Sequence, residues 1–120
     1  MNLLEYGEFV ERVTALPSTY LTALLGRVKE LDEEGVEVPL LLTAALGLSS
    51  ESGEFTEIIK KVIFQGKPYS SETEFHLIRE LGDILFYWVI ACRAVSVDPL
   101  TVLNENVRKL SERYPEGAFS

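Results

Sequence analysis

LGLSSESGEFTEIIKKV, residues 46–62, is apolar at helical spacing and yet carries three glutamates. Glu51 and Glu54 are three positions apart, and Glu57 follows at the same step. Three residues turn an α-helix by 300°, so such a pair projects from one face, a turn apart. A second stretch, ELGDILFYWVIACRAV at residues 80–95, repeats the arrangement with Glu80 and Asp83. Acidic i, i+3 pairs are ordinary on solvated helix faces. These two pairs differ in setting. Glu51 and Glu54 lie between Leu46, Leu48 and Phe55, Ile58, Ile59, while Glu80 and Asp83 lie between Leu77, Ile78 and Ile84, Leu85, Phe86.

The remaining sequence falls into helical segments around these two. Residues 3–15 form a short amphipathic piece ended by Pro17. Ser18 reads as the N-cap of a second helix to about residue 34, where Gly35 stops it. Pro39 suits the first turn of a third helix, 40–64, ended by Gln65-Gly66-Lys67-Pro68. Ser70-Ser71-Glu72-Thr73-Glu74 caps a fourth, 72–95, and Asp98-Pro99 opens a fifth, 100–114. Strand signals are nearly absent. The expectation is an all-α helical bundle of about four to five helices, with residues 1–120 forming a single domain.

Composition narrows the function. A chain that is 47% hydrophobic and 25% charged can bury a core and remain soluble. Apolar runs are too short for a membrane span. Glu5 and Glu8 stand where a signal peptide would be basic, which points to a cytoplasmic protein of a bacterium, or of the host cytoplasm if phage-encoded. Cys92 is the only cysteine, so intramolecular disulfides and CxxC metal sites are excluded. A net charge of −8 speaks against a nucleic-acid surface, because that binding depends on cations meeting phosphates. A small anionic ligand delivered with metal ions stays compatible.

Two carboxylates ~4 Å apart repel by about 4 kcal/mol at an effective dielectric of 20. Two acidic pairs on antiparallel neighbouring helices are therefore expected to be offset by cations, and hard divalent ions prefer such all-oxygen sites. Gly53 and Gly82 each sit inside an acidic pair. Each costs a helix roughly 1 kcal/mol relative to alanine, so a close approach at both is expected. His76, Glu80, Asp83 and Tyr87 share one stripe of the fourth helix, and Lys61 shares the face of Glu54 and Glu57, with Lys60 adjacent. Asn106, Lys109 and Arg113 form a stripe on the fifth helix. Amide, ammonium and guanidinium groups facing a carboxylate–metal cluster suit a polyphosphate. Lys109 and Arg113 also read simply as a favourable basic helix end.

Taken with LNENVRKLSERYPEGAFS at residues 103–120, the order ExxE, then ELGD, then NxxKLxxRYPxG resembles MazG-like all-α nucleoside triphosphate pyrophosphohydrolases, short single-domain forms in particular. The resemblance implies Mg²⁺, or Mn²⁺ as a substitute, held by Glu51, Glu54, Glu80 and Asp83. It implies Tyr87 and Asn106 near the nucleotide, Lys61, Lys109 and Arg113 on the phosphates, and a homo-oligomer, dimer or tetramer. Many members carry two adjacent glutamates at the first motif, where this chain has Ser50-Glu51; Glu57 is an accessory candidate, as are Lys60 and His76. The general base is Glu54 or Glu51. The implied reaction converts a nucleoside triphosphate, with dGTP or GTP the lead substrate, to its monophosphate and pyrophosphate. Pyrophosphohydrolases of the same fold acting on dUTP, dCTP or phosphoribosyl-ATP are the alternatives within the class. A non-catalytic helical interaction module is the alternative outside it. A di-iron bundle would want Glu-x-x-His motifs, which this chain lacks.

Overall fold

The computed structural model describes residues 1–117, which form helices and no strand. Six helices run in the order α1 (Leu3–Val13), α2 (Leu16–Thr19), α3 (Leu21–Glu33), α4 (Val38–Phe64), α5 (Ser71–Ala94) and α6 (Pro99–Arg113). They divide into two compact units, Met1–Val38 and Pro39–Ser120. No single helix among the described residues is long and apolar enough to cross a membrane.

In the first unit α1 begins with a reciprocal cap. The Asn2 side chain accepts from the Glu5 N–H at 2.8 Å, and the Glu5 carboxylate accepts from the Asn2 N–H at 3.3 Å. The segment expected to be one helix from Ser18 is two. Proline fits the start of a helix because its missing N–H has no intrahelical partner there. Pro17 accordingly initiates the single turn α2, which contains Ser18, and the backbone breaks at the extended Tyr20 before α3. Ser18 is thus not the N-cap that its residue type suggested, and this break supplies the sixth helix. At the end of α3, Gly35 adopts φ +87°, and the Val36 N–H donates to the Leu31 carbonyl at 2.9 Å.

The second unit is organised by α4 and α5, which lie antiparallel. Gly47 of α4 meets Tyr87 of α5, Glu51 and Glu54 meet Glu80, and further along Ile58 and Lys61 share a cavity with Thr73 and His76. Gly47 is buried, and a Cβ built there would overlap the Tyr87 ring. Nothing lies within 4 Å of a Cβ placed on Gly53 or Gly82, so the close approach expected at those two glycines occurs at Gly47 instead. The reason is register. Gly47 is on the α4 face turned to α5, one turn before Glu51, whereas Gly53 falls off that face.

The two connections of this unit are tightly closed. After α4, Gly66 at φ +70° lets the Lys67 N–H return to the Lys61 carbonyl at 3.1 Å. Ser70 and Thr73 form a capping box at the start of α5, and the Thr73 hydroxyl donates to the Pro68 carbonyl at 2.9 Å. After α5 the non-glycine Ser96 takes φ +58°, with the Val97 N–H on the Cys92 carbonyl at 3.0 Å. Asp98 then caps α6 through the Leu100 N–H at 2.8 Å. Cys92, Ala94 and Ala44 are buried, and Cys92 is a free thiol.

Gly47→Ala is expected to destabilise the protein by about 1–3 kcal/mol through overpacking, although alanine is the better helix former by roughly 1 kcal/mol. Gly53→Ala, facing open space, is expected to be neutral or stabilising by up to about 1 kcal/mol. Urea unfolding of the metal-free proteins, monitored by far-UV circular dichroism, checks both.

Candidate metal and nucleotide site

Because α4 and α5 run antiparallel with Gly47 against Tyr87, the acidic pair of each helix arrives at the same level of the groove. Glu51, Glu54 and Glu80 each offer one carboxylate oxygen, and the three atoms lie within 4.8 Å of one another. Glu51 and Glu80 are half-buried, and Glu54 faces solvent. Glu51 Oε2 and Glu80 Oε2 are both buried without a hydrogen-bond partner. Two carboxylates have no proton to give each other, so as anions they need a donor or a cation from outside the pair.

The electrostatics follow from that geometry. Hydrogen bonding to Glu80, possible only while a proton is present, is the main reason the Glu51 carboxyl is pushed up to about 7; lost hydration, Glu54 and the charge of Asp83 add to it. Asp83 therefore acts on the cluster by its field, although it is exposed and its oxygens do not join the three gathered atoms. A hard divalent cation fits this donor set, since it would satisfy the orphaned oxygens and remove the repulsion together.

Glu57 stands apart. It pairs with Lys60 at 3.0 Å, and that bond, helped by the charges of Lys60 and Lys61, holds its carboxyl below the usual range. A one-turn ion pair on an exposed face contributes little to stability, but it occupies both candidate accessory groups with each other. His76 approaches Glu72 at 3.6 Å and not the cluster. Tyr87 packs edge-on against Phe86 at 5.1 Å between centroids and covers Gly47, one turn beyond Glu51 along the groove.

On α6, Asn106 and Lys109 are exposed. Arg113 lies 5.4 Å over the Tyr114 ring, while Arg108 takes Glu105 and Glu112. Among the described residues, Asn106, Lys109 and Arg113 make no hydrogen bond or ion pair with the three gathered carboxylates. Lys61 is two turns from Glu54, roughly 10 Å at a rise of about 1.5 Å per residue. Its side chain helps line a cavity of about 310 Å³ with the apolar Ile58, Val62 and Pro68 and the cationic Lys67. Residues 65–68 read in sequence as a helix stop and nothing more, so the position of Lys67 beside this cavity is not legible there. What the sequence shows is a lysine directly behind a glycine that must close the α4 terminus.

Sequence comparison bears on this geometry directly. The MazG nucleotide pyrophosphohydrolase domain matches residues 41–118, a span that contains both acidic pairs and α6. The chain belongs to the MazG family. No curated protein and no solved structure matches it. The all-α fold agrees with membership, and a nucleotide is the substrate class that membership carries. The carboxylates that converge on the MazG groove are those of the two sequence motifs, with Asp83 the outlying member.

The pH dependence of the metal-free MazG domain follows from Glu51. A carboxyl raised in the folded state contributes stability that is full below its unfolded value of 4.5 and is lost as pH rises through about 7. The rise in melting temperature on adding Mg²⁺ should therefore be larger at pH 8 than at pH 6, where protons compete for Glu51. Glu51→Gln should flatten this dependence and weaken the Mg²⁺ effect. Thermal melts in EDTA and in Mg²⁺ across pH 5.5–8.5 (on the order of one unit either side of the transition) measure both.

Proposed function

We propose that the domain hydrolyses a nucleoside or deoxynucleoside triphosphate to the monophosphate and pyrophosphate with the help of Mg²⁺, or Mn²⁺ in its place. The observation that carries this reading is the convergence of Glu51, Glu54 and Glu80 with two buried carboxylate oxygens left without partners. Asp83, one turn from Glu80, completes the set of four that would hold the cation. Bound there, the ion would neutralise triphosphate oxygens and acidify water.

The chain's own groups divide the remaining work. Glu51 and Glu80 are committed to each other by proximity and partial burial. Glu54 is the solvent-facing member, which suits it to accept the proton of the attacking water. The new bond joins the water oxygen to the α-phosphorus, and the α–β bridging oxygen departs with pyrophosphate and its negative charge. Lys61 is placed further along the same groove to meet that charge, and Tyr87 lies on the opposite side of the cluster, toward the nucleoside. Lys109, Arg113 and Asn106 are proposed to act on the nucleotide from α6.

A homo-oligomer is part of the proposal. Ile78, Leu81, Leu85 and Val89 form an exposed apolar stripe on the side of α5 turned away from α4, and Leu103, Val107 and Leu110 are exposed on α6. Burial of such stripes against a second copy would remove apolar surface from water, the main favourable contribution to association. Light scattering on purified protein reads the mass. A guanine deoxynucleotide is the lead substrate, with dUTP, dCTP and phosphoribosyl-ATP as alternatives.

Pyrophosphate release from a panel of NTPs and dNTPs, with Mg²⁺ and with EDTA, tests the activity. Release should require Mg²⁺, and Glu54→Gln should lower kcat by about 10²–10⁴-fold while the helical spectrum is retained. Absence of release from folded wild type with any nucleotide would favour the non-catalytic module.

A further inference from the structure

The α4–α5 groove has two ends on either side of the carboxylates, and they differ chemically. Toward Gly47 the Tyr87 ring packs on α4. Toward the α4–α5 connection lies the cavity of about 310 Å³, whose charged and titratable lining is Lys61, Lys67, Glu72 and His76. The backbones of the two lysines are joined. Gly66 at φ +70° allows the Lys67 N–H to bond the Lys61 carbonyl at 3.1 Å, and the Thr73 hydroxyl fixes the following Pro68 carbonyl at 2.9 Å.

Neither Lys61 nor Lys67 belongs to an ion pair among the described residues, although both line the cavity. Glu72, at the same mouth, is exposed and turned to His76 at 3.6 Å. Both lysines border the cavity, and an anion held there would meet the two positive charges. Ile58 and His76 are each one turn from the acidic cluster, about 6 Å along their helices. An anion in the cavity and a phosphoryl group at the cluster are thus within the reach of one triphosphate.

We propose that this cavity is the leaving-group subsite, holding the β- and γ-phosphates with Lys67 as a binding residue beside Lys61, and that the triphosphate therefore lies along the groove with its nucleoside toward Tyr87. This rests on the pyrophosphohydrolase reading above. Ile58, Val62 and Pro68 form the apolar part of the lining, and the charged groups available to a phosphate there are Lys61 and Lys67.

The experiment compares wild type, Lys67→Ala and Lys67→Arg in two measurements. In steady-state kinetics, Lys67→Ala should raise KM for the triphosphate and the inhibition constant of pyrophosphate about tenfold each, equivalent to ~1.4 kcal/mol. Inhibition by the nucleoside monophosphate should be unchanged, and Lys67→Arg should recover most of the loss. In calorimetric titration of inorganic pyrophosphate with Mg²⁺, which needs no turnover, Lys67→Ala should bind about tenfold more weakly than wild type. Weakened monophosphate inhibition with pyrophosphate unaffected would place the nucleoside in the cavity and overturn the proposal. Unchanged constants for both products would overturn it as well. Lysine-dependent pyrophosphate binding in a protein that hydrolyses no triphosphate would uphold the cavity assignment and sink the hydrolase reading instead.

Discussion

Mutual repulsion among Glu51, Glu54 and Glu80 is the interaction around which the second unit is arranged. Their oxygens are gathered within 4.8 Å although nothing in the described chain neutralises them. A fold driven only to maximise stability would separate these groups or pair them with lysines, and lysines are near. Lys60 is given to Glu57, and Lys61 is turned into a cavity. The unit thus keeps an anionic cluster and a cationic cavity side by side without letting them cancel. Such separation is unfavourable for the empty protein, and a cation and a polyphosphate bound as proposed above would offset it.

What maintains the separation is backbone geometry. Gly47 lets the Tyr87 ring sit directly on α4, which brings the two helices close and sets their register. That register places the first acidic pair opposite the second. At the other end, Gly66 turns the chain so that the Lys67 N–H returns to the Lys61 carbonyl. The capping box at Ser70 then starts α5 at once, so the connection is short and held by hydrogen bonds. Two glycines, used for different reasons, locate the carboxylate cluster and the cavity. One removes a side chain where helices touch, and the other supplies a left-handed residue where a helix ends.

Burial in the described chain is shallow. The buried residues of the second unit are small ones, Ala44, Gly47, Cys92 and Ala94, while leucines, isoleucines and phenylalanines of α4, α5 and α6 stay substantially exposed. Small residues at the helix contacts permit close backbone approach but bury little apolar area each. The exposed stripe of α5 explains why its sequence is apolar nearly all round: one face meets α4, and the other is presented outward.

Much of this was legible in the residues themselves. Period-3.6 hydrophobicity, proline and glycine punctuation and capping side chains determined helix content and most helix limits, because these are local properties of the chain. The i, i+3 spacing of Glu51 with Glu54 and of Glu80 with Asp83 determined that each pair shares a helix face, for the same reason. The break at Tyr20 was not legible, since Pro17 and Ser18 are equally compatible with ending one helix, starting another or forming the turn that they do form. Which carboxylates converge, which glycine carries the close contact and where Lys67 comes to lie depend on how two helices distant in sequence are registered. That register is set by the Gly47–Tyr87 contact across the groove and by the closure at Gly66. Only the tertiary structure decided it, because helical periodicity says which face a residue occupies but not what stands opposite.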